Sequence, residues 1–138
     1  MGLYLCIFTT EEFDDELDGV DVGGYDDFHE FRQAVCDEVE DGKWGSACPV
    51  LMSHSDCDGT WSPDVAEKLI EELGTIQNRF RQHPPRVADG GRREAFRMYG
   101  QPTSLADCFI DVDGEPLIER ISALARLAFQ RGRPISFQ

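Results

Sequence analysis

Leu3-Tyr4-Leu5-Cys6-Ile7-Phe8 is an unbroken apolar run rich in β-prone residues, and it predicts a buried strand. The stretch Glu11–Asp18 that follows is too charged for a core, while Leu17, Val20 and Val22 predict a short edge strand. From Tyr25 to Glu40 the period changes. Phe28, Phe31, Val35 and Val39 are spaced three, four and four apart, which puts them in one apolar stripe of a helix. Asp26 and Asp27 suit its positive end and Gly42 its stop. Pro49-Val50-Leu51-Met52 predicts a second strand, and Ser53–Trp61 a loop. A second helix starts with Ser62 as N-cap and Pro63 in its first turn. Its buried face is Val65, Leu69, Leu73, Ile76 and Phe80, and Pro84-Pro85 ends it.

Residues 84–104 are the least legible. Gly90-Gly91 and Gly100-Gln101-Pro102 mark turns, with one helical turn expected around Arg93–Tyr99. Phe109-Ile110-Asp111-Val112 predicts a strand. A third helix follows, capped by Asp113, through Leu117, Ile118, Ile121, Leu124, Leu127 and Ala128 to Gly132 and Pro134. Ile135-Ser136-Phe137 predicts a last strand. Strands alternating with helices give an α/β fold, with a partly parallel or mixed sheet of about four strands covered by three main helices. At 138 residues, a single domain over 1–138 accommodates all of this.

Charge adds what periodicity does not. The chain has 27 acidic and 13 basic residues, a net charge of −14. Residues 1–72 hold 20 of the acids and 3 of the bases. Between Glu11 and Asp41 there are 14 acids, opposed by Arg32 alone. Such a surface repels phosphate backbones and anionic membranes, so neither nucleic acid nor membrane is an expected partner. A basic protein is. Leu3–Phe8 is too short to span a membrane and has no basic segment before it, so the cytoplasm is the expected location. The five cysteines have no paired spacing and are expected as free thiols.

Two Asp-x-Asp-Gly pieces, Asp56-Cys57-Asp58-Gly59 and Asp111-Val112-Asp113-Gly114, carry the sharpest enzyme signal. In haloacid-dehalogenase-type phosphatases such a motif holds a nucleophilic carboxylate, a proton-shuttling acid and Mg²⁺. Ser53-His54-Ser55 breaks the apolar lead-in to Asp56. Only 27 residues follow Asp111, and the only lysines are Lys43 and Lys68. Asp-Gly turns next to helix starts account for both pieces more simply. Calcium loops of the EF type require a different glycine position. Cys48, His54 and Cys57 lack the spacing and fourth ligand of a zinc site, and no cofactor is expected. Trp44 and Trp61 lie beside glycines in loops, as interface anchors or as lids on the core edge.

Several segments together resemble a known family. They are Gly2-Leu3-Tyr4-Leu5-Cys6, Leu17-Asp18-Gly19-Val20, Tyr25-Asp26-Asp27-Phe28, Trp44-Gly45, His54–Pro63, Asp107–Leu117 and Arg133–Gln138. The chain resembles the small immunity proteins of bacterial polymorphic toxin systems, the immunity protein 70 family. The resemblance implies a non-enzymatic protein that binds and neutralises a cognate toxin in the producing cell. It carries no catalytic residues over. With the acidic half, it makes Glu11, Glu12, Asp14, Asp15, Glu16, Asp18, Trp44, Asp56, Asp58 and Trp61 the candidate partner-binding residues. The rival readings are a small Mg²⁺-dependent phosphatase using Asp56 or Asp111, and an acidic adaptor without enzymatic activity.

Overall fold

A computed structural model describes residues 2–9, 15–86, 98 and 100–138. The helical turn expected around Arg93–Tyr99 lies almost wholly outside the described residues, as do Glu11, Glu12 and Asp14. Four strands form one sheet: β1 (Gly2–Phe8), β2 (Glu16–Gly24), β3 (Thr60–Trp61) and β4 (Ile135–Phe137). Their order is β2-β1-β4-β3, and every neighbouring pair is antiparallel. The expectation of a partly parallel or mixed sheet is therefore corrected. It rested on helices crossing over between parallel strands. Here β2 follows β1 directly and pairs back on it, with Thr9 N–H bonded to Asp15 O at 2.7 Å.

Among the described residues, four α-helices of a turn or more accompany the sheet: α1 (Tyr25–Glu38), α2 (Pro49–Met52), α3 (Pro63–Arg81) and α4 (Leu117–Arg131). Leu3, Leu5 and Ile7 of β1 are fully buried, together with Phe28 and Phe31 of α1, Leu69, Leu73 and Ile76 of α3, and Ile121, Leu124 and Ala125 of α4. Phe31, Phe80 and Phe109 meet edge to face or tilted, with centroids 5.3–6.2 Å apart, and fasten α1, α3 and the segment before α4 together. Gly132, in the left-handed conformation, ends α4 where expected.

Three element assignments change. Pro49–Met52 is a turn of helix, not a strand, because its free amides find a buried carboxylate. Val50 and Leu51 N–H donate to the Glu72 carboxylate at 3.1 and 2.9 Å, and Met52 N–H bonds back to Cys48 O. Phe109–Val112 forms only a bridge between Ile110 and Pro116, since the turn at Asp111–Gly114 folds it back at once. A 3₁₀ turn, Leu105–Cys108, precedes it. Helix α4 begins after Pro116, so Asp113 is not its cap. Thr60–Trp61, expected as loop, is the second edge strand.

Candidate functional site

The acidic residues cluster around β2 and α1. Strand β2 carries bulges at Leu17 and Val22, which turn the strand and set Glu16, Asp18 and Asp21 along a sheet edge. Asp15 and Glu16 are exposed. Tyr4 lies across Gly19, where a Cβ would meet the Tyr4 hydroxyl, and its Oη donates to Glu16 at 2.8 Å. Burial, then this bond and charge, push the Tyr4 phenol up to about 12. Arg120 of α4 donates to Gly19 O at 2.8 Å and approaches Asp18 at 3.4 Å and Asp111 at 3.7 Å. Val112 N–H takes Asp21 O. The β2 edge is thus closed by its own chain against further strand pairing.

Helix α1 continues the acidic surface. Asp27 accepts the Gly24 N–H at 2.8 Å and fixes the helix start. Asp26, Glu30, Gln33 and Asp37, spaced four, three and four, form the stripe opposite Phe28, Phe31 and Val35. At its C-terminal end, the buried Glu40 carboxylate collects the N–H groups of Gly45, Ala47 and Cys48 at 2.9–3.0 Å. That bond set shapes the 43–48 loop and presents Trp44. Trp44 is 43% exposed, donates Nε1–H to Met52 O at 2.8 Å and stacks on His29 of α1, centroids 6.1 Å apart.

The 53–59 loop flanks the same helix. His54 stacks on Phe137 at 4.0 Å, with its ring nitrogens 2.8 and 2.9 Å from Ser55 O and Thr60 O. Asp56 and Asp58 are exposed. Trp61, expected as a possible anchor, is 2% exposed, packs edge-on against Phe137 and donates to Val50 O. It supports the loop from inside and has no ring face to offer a partner.

The structure brings Asp15, Glu16 and Asp18 to one sheet edge and Trp44, Asp56 and Asp58 to the loops beside α1. The two Asp-x-Asp-Gly pieces differ. Asp111 is buried and spent on its own turn: Oδ1 accepts Asp113 and Glu115 N–H at 2.9 Å, and Oδ2 faces Arg120. It does not stand at the end of a strand as a nucleophile would. Among the described residues, no three His, Cys, Asp or Glu side chains converge as a metal site requires. Glu40, just past the end of α1, and Glu72, within α3, hold the loops in place and carried no sequence signal beyond being acids.

All five cysteines are free and only Cys57 is exposed. Burial pushes the Cys6 thiol up to about 11 and Cys48 up to about 12, the latter with help from Glu72 and Glu40. Among the described residues no helix is long and apolar enough to cross a membrane. The model of the family described as Immunity protein 70 matches residues 3–137. No curated protein and no solved structure matches the chain.

Proposed function

We propose that this chain, which belongs to the immunity protein 70 family, binds a polymorphic toxin in the cytoplasm of the producing cell and neutralises it by covering a basic active site. The family match over residues 3–137 is the observation that carries the reading. The geometry supports a mode of action. Asp15, Glu16 and Asp26 are exposed acids, Asp37 is paired with Arg86 at 3.2 Å, and Trp44 stands exposed against His29 of α1. Single-sign surfaces steer an oppositely charged partner into contact, and a rigid aromatic ring then holds it. On this reading Glu11, Glu12, Asp14, Asp15, Glu16, Asp18, Trp44, Asp56 and Asp58 belong to the contact face. The toxin is basic, and the chain itself does no chemistry.

The test is co-purification of the tagged chain from its native cells. The expected result is a basic protein at equal stoichiometry, whose toxicity on expression is abolished by co-expression of this chain. Recovery of no partner, or of one that is harmless when expressed alone, contradicts the proposal.

A further inference from the structure

Arg32 is the one basic residue between Glu11 and Asp41, yet among the described residues no ion pair joins it to an acid. It is 6% exposed, and its Nε and Nη2 are buried with no hydrogen-bond partner among the described residues. The Phe28 ring lies under the guanidinium, Cζ 4.4 Å from the centroid. That contact engages the flat face of the group and leaves its N–H groups, which point outward in the plane, unsatisfied. Leaving buried charged donors unbonded is costly, so such a pair calls for an acceptor. Nε and Nη2 share one edge of the planar guanidinium. Their hydrogens are parallel, the arrangement that grips both oxygens of one oxyanion.

We propose that this edge of Arg32 is a receptor for a carboxylate that arrives from outside the chain. The position fits. Residues 29, 32 and 36 share one flank of α1, so Arg32 sits one turn on from the His29 that carries Trp44. Desolvation lowers the Arg32 guanidinium to about 10, and Asp56 opposes this, which places the 53–59 loop at its border without an ion pair between the two. Nη1 is not among the enclosed atoms but lies on the far side of the group from the Nε–H, so a carboxylate reaching the Nε–Nη2 edge has to displace what covers it. A nearby Asp56 disfavours a doubly charged phosphate and selects the singly charged carboxylate. The source is either a small free carboxylate or an acidic side chain of the proposed toxin. The receptor itself stands independently of the toxin reading.

The experiment follows the arginine Nε–H resonances of the isotopically labelled full chain during titration with sodium acetate, at constant ionic strength set by chloride. The resonance missing from Arg32→Gln should shift saturably, and thermal stability should rise with acetate but not with chloride. Inorganic phosphate should act more weakly. Arg32→Lys keeps the charge but not the two-donor edge, and it should lose the thermal response; it also serves if Arg32→Gln does not fold. Asp56→Asn should retain or strengthen the response. In the toxin complex, a shift without acetate that also blocks the titration identifies a toxin side chain as the source. A titration that stays open identifies a free carboxylate. The absence of a saturable shift at Arg32 overturns the proposal. So does an Arg32 resonance that already carries a bonded signature lost on Asp56→Asn, since Asp56 would then fill the edge.

Discussion

Single side chains decide where this backbone goes, and Glu40 is the clearest case. Its carboxylate holds three N–H groups of the loop that presents Trp44. Glu40→Ala leaves those donors without an acceptor and is expected to cost about 2–4 kcal/mol in urea unfolding. Glu72 is held by the same kind of bond, but its pH dependence is distinctive. Burial raises its carboxyl above the ordinary 4.5, against the pull of the Leu51 and Val50 N–H groups and Lys68. With the folded value above the unfolded one, its stabilising contribution is complete below pH 4.5 and is lost as pH rises through the folded value. Glu72→Gln removes that loss. Urea unfolding at a series of pH values should show the variant gaining on the wild type from pH 4.5 upwards; a constant difference would contradict the assignment. Thiol chemistry gives a further check. Five thiols should titrate in denaturant, and only Cys57 should react quickly in the native chain.

At the scale of elements, the 53–61 segment hangs on one imidazole. His54→Ala removes the stack on Phe137 and both carbonyl contacts. Hydrogen exchange at Thr60 and Trp61 should accelerate about tenfold or more, with α3 unaffected. Elements whose period is set by burial were legible in the chain: β1, α1, α3, α4 and β4 stand where their apolar spacing placed them. The edge strand β2 was visible only as a short piece, because its bulges break the period-two pattern at Leu17 and Val22. Pro49–Met52 misled because four apolar residues suit strand or helix alike, and the deciding partner, Glu72, is more than twenty positions away. The expectation of a partly parallel or mixed sheet followed from that error, since a strand at 49–52 would have needed a helical crossover from β1, whereas every observed pair is antiparallel. The exposed Trp44 and the buried Trp61 had equivalent sequence surroundings, beside glycines in both cases. Strand pairing with Ile135 and the contact with Phe137 bury Trp61, and Trp44 has neither.

For the whole molecule, the asymmetry of charge is the dominant feature: 20 of 27 acids lie in residues 1–72, and 10 of 13 bases in residues 73–138. Long-range attraction acts on encounter, whereas a packed ring acts on escape. Trp44→Ala should therefore raise the dissociation rate of the toxin complex about tenfold to a hundredfold, with association nearly unchanged. Charge reversal should do the opposite. Asp18 is left in place, because Arg120 already neutralises it. The measurement that bears most directly on the acidic-face mechanism is binding kinetics of the toxin with wild type and with Glu11, Glu12, Asp14 and Asp15 changed to Lys, each at low and high salt. The account predicts association slowed about tenfold or more at low salt, a wild-type salt dependence largely lost in the variant, and little change in stability. Equal association rates for the two proteins at both salt concentrations would contradict it and place the contact face elsewhere.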